Sequence, residues 1–147
     1  MAKWLRFLLI GLLIFGLILV RVFEDDLFYD PLLEFFKGDY LHNPLPEYDM
    51  TKVGIHIVFR YMLNSLLSLG IIGLLFPDIR KLKFSILILT GFLIILLPLY
   101  LYMVSIDFKL GENTGFYIRR FLIQPMILLV LIPAFYYHDW LEKQKLN

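Results

Sequence analysis

Four apolar stretches dominate the chain, and the polar residues that interrupt them carry most of the information. Phe7 to Val20 is uncharged, but its fourteen residues rise only about 21 Å as a helix. That is short of the ~30 Å hydrocarbon core of a bilayer. The first predicted span is therefore 4–23, with Arg6 and Arg21 reaching opposite interfaces on their long stems. The stretches 53–76, 84–106 and 115–137 are each long enough to cross without such help. Inside the second, polar residues return at every fourth position: His56, Arg60, Asn64 and Ser68. On a helix this spacing makes one stripe. An ionisable side chain at membrane depth points to function, so the partner of Arg60 becomes the central question.

The segments between the spans are polar. The first loop, 24–52, is acidic, and within it Asp30-Pro31-Leu-Leu-Glu-Phe-Phe-Lys37-Gly38 predicts a short helix. Asp30 suits the N-cap, Pro31 the first helical position and Gly38 the stop. Leu32, Leu33, Phe35 and Phe36 are too apolar for free solvent, so this helix should lie on the membrane surface or plug the top of the bundle. Asp39 to Asp49, with Pro44 and Pro46, is expected to be extended. Residues 77–83 form a basic turn, Pro98 is a candidate kink in the third span, and 107–114 is a second polar loop. A basic start followed by a short apolar core resembles a signal peptide. Arg21-Val-Phe-Glu24-Asp25-Asp26 offers no small-residue cleavage site, which favours an uncleaved signal anchor.

Composition agrees with the pattern. With 60% hydrophobic residues among 147 and a mean hydropathy of +0.76, the apolar surplus exceeds what a soluble core can hold. Lys3, Arg6, Arg80, Lys81, Lys83, Lys143 and Lys145 fall on one side of the predicted spans, while ten of the thirteen carboxylates fall on the other. Lysine and arginine excess marks the cytoplasmic side, and Trp4 and Trp140 sit at that interface. The expectation is an all-α integral membrane protein: one domain, a four-helix bundle, both termini cytoplasmic. A net charge of +1 without basic runs gives no nucleic-acid footprint. The absence of cysteine excludes disulfides, thiolate catalysis and cysteine-ligated metal.

In this topology Arg21, Arg60, Arg119 and Arg120 gather at the outer end of the bundle, against Glu24, Asp25, Asp26 and Asp30 of the first loop. Arg120 and Gln124 lie one turn apart on one face of the fourth span. Two readings of this cluster follow. In the first, these are structural pairs: Arg60 bonds a loop carboxylate or a backbone carbonyl, and Asn64, Ser65 and Ser68 hydrogen-bond between helices. In the second, excess arginine builds an anion or peptide-carboxylate pocket from Arg21, His56, Arg60, Asn64, Arg119, Arg120 and Gln124. Catalysis has little support. His56 stands more than two turns from Ser65 on a different face, and no metal-ligating set or cofactor motif is evident.

Several segments together resemble the exosortase F system-associated membrane proteins of the Bacteroidetes. These are Arg21-Val-Phe-Glu-Asp-Asp-Leu-Phe-Tyr-Asp-Pro-Leu-Leu-Glu-Phe-Phe-Lys37, Pro44-Leu-Pro-Glu-Tyr-Asp49, Arg60-Tyr-Met-Leu-Asn-Ser-Leu-Leu-Ser68, Arg119-Arg-Phe-Leu-Ile-Gln-Pro125 and Ile132-Pro-Ala-Phe-Tyr-Tyr137. The resemblance implies a multi-pass protein of a bacterial inner membrane working beside an exosortase, an enzyme of C-terminal sorting and processing. Exosortases use a cysteine, which this chain lacks, so the expected role is a non-enzymatic accessory that binds the enzyme or its substrate tail. The alternatives are a small transporter, a lipid- or anion-binding protein, or a structural subunit of a larger envelope complex. The expected partners are membrane lipids and another membrane protein.

Overall fold

A computed structural model describes residues 2–38, 42, 44, 46–109 and 111–146, the side chains of Glu34, Phe36 and Glu112 excepted. Among the described residues every regular element is a helix, with no strand: α1 (Lys3–Val22), α2 (Glu24–Leu27), α3 (Leu32–Lys37), α4 (Met50–Leu75), α5 (Ile79–Ser105), α6 (Glu112–Ile123) and α7 (Met126–Lys145). Three of these, α1, α4 and α5, are long and apolar enough to cross a membrane. A fourth crossing exists if the bent pair α6–α7 counts as one.

Helix α4 is the centre. In its most apolar window 44% of residues are buried, against 17% for α5 and 6% for α1. It packs against α1, α5, α6 and α7, whereas α1 leaves most of its length uncovered. Helix α4 begins where the Asp49 carboxylate accepts from the backbone N–H of Thr51 at 3.1 Å and Lys52 at 3.4 Å, an N-cap outside the apolar run. It ends before Pro77, whose ring disfavours helix at Phe76; that residue is extended at φ −123° and ψ 95°. The Asp78 carboxylate then caps α5 by accepting from Arg80 N–H at 2.9 Å.

Contacts define two ends of the bundle. At the terminal end, Arg6 of α1 donates to the Leu75 carbonyl at 2.5 Å, filling an acceptor that the end of α4 leaves open. There too Phe76 meets Phe135 and Tyr136 of α7 edge to face, and Lys81 of α5 pairs with Asp139. At the loop end, α2 and α3 fold down over α4. Leu32 and Leu33 are buried and Phe35 is half-buried against the core, so the loop helix plugs the bundle.

Several expectations change. The loop helix begins at Leu32, with Pro31 in the turn before it. Of the stretch expected to be extended, residues 39–41, 43 and 45 lie outside the described residues, while Asp49 is extended at φ −96° and ψ 108°. Helix α5 runs through Pro98 as one element. The expected fourth span, 115–137, is not one helix. Gln124 is extended at φ −101° and ψ 144° ahead of Pro125, and α6 and α7 meet at 65°.

The α5–α6 connection is tight. Asp107 and Phe108 both have left-handed backbones, with φ of 52° and 56°. Such conformations cost side-chain-bearing residues roughly 1–2 kcal/mol each and persist where packing fixes them. Phe108 is buried on Gly115, where a Cβ would stand 2.1 Å from its ring. Gly115 is the floor that lets this turn close.

Candidate functional site

The site grows from the register of α2. One short helix follows α1 directly, so of three consecutive acids Glu24 turns inward and is buried, while Asp25 and Asp26 face outward. Glu24 accepts a hydrogen bond from Arg60 Nη2, and both side chains are almost fully buried. It also meets Arg21 at 2.9 Å and Lys37 at 3.6 Å, from half-exposed side chains. Glu24 therefore gathers three cations from α1, α3 and α4.

Asp30 forms the second node. Its carboxylate pairs with Arg119 of α6 and lies 3.9 Å from Arg60 Nη1. The Arg60 guanidinium also lies 5.3 Å from the centre of the Phe28 ring, so an aromatic face covers a charge that lipid would not. Removing either partner of such a pair strands a buried charge, at a cost of about 3–5 kcal/mol.

Below this layer Asn64 donates to the carbonyl of Ile123 at 2.7 Å. The break at Pro125 frees the last carbonyls of α6, and in an apolar setting such groups need partners from neighbouring helices. The Gln124 carbonyl is satisfied locally by Met126 N–H at 2.7 Å. Asn64 of the polar stripe thus serves the broken helix. Tyr61 similarly donates to the Leu89 carbonyl of α5 at 2.6 Å.

Comparison with family models, with curated proteins and with solved structures gives no match. Function must therefore be read from the site.

The structure does not bring every candidate residue together. Arg60 and Arg119 are buried in the carboxylate network, while Arg21 and Arg120 stand at its rim. Arg120 donates through Nε to Gln124 Oε1 at 3.1 Å, although Gln124 has left the helix. His56 is elsewhere: its ring centre lies 6.1 Å from that of Tyr29, and it lines a groove of about 600 Å³ with Asp25, Asp26 and Asp30. Sequence reasoning missed Lys37. Its signal was its place in the last turn of the loop helix, one turn beyond the buried Leu33.

Two further voids adjoin the network. A pocket of about 290 Å³ is lined by Arg21, Lys37, Arg119 and Arg120, with no carboxylate among its described lining residues. Beside it, a largely apolar cavity of about 490 Å³ runs between α1, α4 and α7. At the terminal end His138, Asp139 and Glu142 bring ligand atoms within 4.8 Å of one another. Lys81 already occupies Asp139 there, and His138 and Glu142 are exposed, so the group reads as a solvated charge cluster.

Proposed function

We propose that this chain is a four-span protein of a bacterial inner membrane, with both termini in the cytoplasm, acting as a non-enzymatic accessory to a membrane partner. The lysine and arginine excess near Arg80, Lys81, Lys83, Lys143 and Lys145 supports that orientation. The bent α6–α7 pair supplies the fourth crossing, with Asn64 providing for its break.

One observation carries the accessory role. The α2–α3 segment is clamped by buried ion pairs, yet it leaves Asp25, Asp26 and Tyr29 exposed around a groove of about 600 Å³. Among the described residues neither Asp25 nor Asp26 pairs with a cation. A rigid, acidic, aromatic-lined surface suits docking of a partner with complementary charge. Glu24 and Asp30 hold the buried arginines of the network, and among the described residues no base stands beside Ser65 or Ser68, which argues against catalysis.

Resemblance to the exosortase F-associated proteins makes the exosortase or the sorting tail of its substrate the partner to test. Affinity purification of the tagged protein from native membranes in mild detergent should retain the exosortase. The double charge reversal Asp25→Lys/Asp26→Lys should weaken retention while leaving the thermal transition in place. Failure to retain the enzyme, with processing intact after deletion of this protein, would sink the reading.

A further inference from the structure

The basic pocket and the apolar cavity adjoin across Arg21, Ile123 and Gln124, which line both, so that one ligand can engage the two as a single site. Its mouth is cationic. Its slot runs down α4 from Arg60 to Ile71 and down α7 from Met126 to Ile132, about 16 Å and 9 Å of helix. The slot also opens sideways. Ile14 of α1 and Leu129 of α7 line it and are exposed on the outer surface of the bundle, the face that meets acyl chains if the helices span a bilayer.

Among the described side chains, charge at the mouth is unbalanced: five cations, Arg21, Lys37, Arg60, Arg119 and Arg120, surround two inward carboxylates, Glu24 and Asp30. Arg120 is exposed and meets only the neutral Gln124 among the described side chains. Arg21 and Lys37 are half-exposed and can turn toward a ligand, because Glu24 keeps Arg60. Arg60 lines the cavity wall and is almost fully buried, and its Nε and Nη1 donate no hydrogen bond among the described residues.

A cationic mouth over a long, laterally open apolar slot fits an anionic amphiphile. We propose that the site takes an anionic phospholipid from the surrounding leaflet, with its phosphate among Arg21, Lys37 and Arg120 and one acyl chain between α1 and α7. Guanidinium forks match phosphate oxygens in pairs, and basic pockets between membrane helices bind anionic headgroups. The cavity volume lies within the roughly 300–1,000 Å³ of ordinary ligand sites. This inference rests on the bundle spanning a bilayer, as proposed above, and is independent of which protein partner docks on the acidic face.

The test is lipid retention by native mass spectrometry of the full chain in detergent, with dioleoyl phosphatidylglycerol or dioleoyl phosphatidylcholine added in separate arms. Phosphatidylglycerol should be retained near one per chain and in clear preference to phosphatidylcholine, which has the same acyl chains. Arg120→Gln should lower its retention about fivefold, the effect of one basic residue near a headgroup. Leu17→Trp, which fills the slot without touching a charge, should lower it too, while Lys83→Gln at the terminal end should not. Equal retention of both lipids, or equal loss in Arg120→Gln and Lys83→Gln, overturns the proposal. So does displacement of the lipid by inorganic phosphate at matched concentration, which marks a free-anion site. Preference for an acidic peptide with a free C-terminal carboxylate also overturns it, and marks a peptide site. Loss of exosortase retention without loss of lipid overturns only the accessory role.

Discussion

The two ends of the bundle handle charge in opposite ways. At the terminal end, pairs sit near water: Arg80 reaches Asp78 at 3.2 Å from an exposed side chain, and Asp139 is about a third exposed where Lys81 meets it. At the loop end, Arg60, Glu24, Asp30 and Arg119 are all buried, stacked between a plugging loop and the polar stripe of α4. Exposed pairs contribute little because water and salt screen them, and their loss leaves both groups solvated. Buried pairs contribute little net stability either, yet losing one partner is expensive because the other cannot be rehydrated. The terminal end therefore tolerates substitution and the loop end does not.

The largest effect should come from Glu24→Gln, which leaves Arg60 buried without its hydrogen-bonded carboxylate. A loss of about 3–5 kcal/mol is expected, read as a collapse of the thermal transition in detergent. A transition like that of the parent protein would remove the distinction between the two ends. Gly115→Ala should cost about 1–3 kcal/mol by driving a methyl into the Phe108 ring, and Phe108→Ala in the same chain should recover part of it. Asn64→Leu should cost about 1 kcal/mol, since it orphans the Ile123 carbonyl. Adding Pro125→Ala lets α6 continue and supply that carbonyl itself, so the double variant should be less impaired than the single. Additive losses would show that Asn64 does not serve the break. Asp139→Asn should cost at most about 1 kcal/mol, with the transition largely unmoved.

The smallest effect concerns acid. The Asp78 carboxyl is held below its usual range, first by the backbone N–H of Arg80 and then by the Arg80 side chain. A lowered carboxyl stabilises the fold above its unfolded value near 4, and that contribution fades as pH falls through the still lower folded value. Asparagine keeps the cap without the charge. Asp78→Asn should therefore lower the transition slightly at pH 7 and flatten its pH dependence below about pH 4, so that the two proteins converge in acid. Identical acid limbs for the two proteins would refute the assignment.

Hydropathy located α1, α4 and α5, because the length of an apolar run is a local property. The loop helix was legible for the same reason: Asp30, Pro31 and Gly38 bracket it within a few residues. The break at Pro125 was not legible. Pro98 and Pro133 lie inside helices that run through them, and nothing in the local sequence sets Pro125 apart. What sets it apart is Asn64, which lies 59 residues before Ile123 and supplies a donor for that residue's freed carbonyl. The candidate site was legible to a similar depth. Four loop acids facing four arginines foretold a charge cluster, but the choice of Glu24 over Asp25 and Asp26 depends on where α2 begins. His56 misled because the spacing that puts it on the Arg60 stripe also places it a full turn higher, where the chain facing α4 is Tyr29 and its acidic neighbours.

The pairing of Arg60 with Glu24 also bears on how the chain is made. Synthesis runs from the N-terminus, so Glu24 emerges 36 residues before Arg60, and the most costly charge of α4 enters the membrane with its counterion already waiting. Asp30 waits far longer, since Arg119 follows it by 89 residues. A nascent chain stalled after α5 has Glu24 hydrogen-bonded to Arg60, while Asp30 still lacks its hydrogen bond from Arg119. The loop end is therefore complete only once α6 has been made.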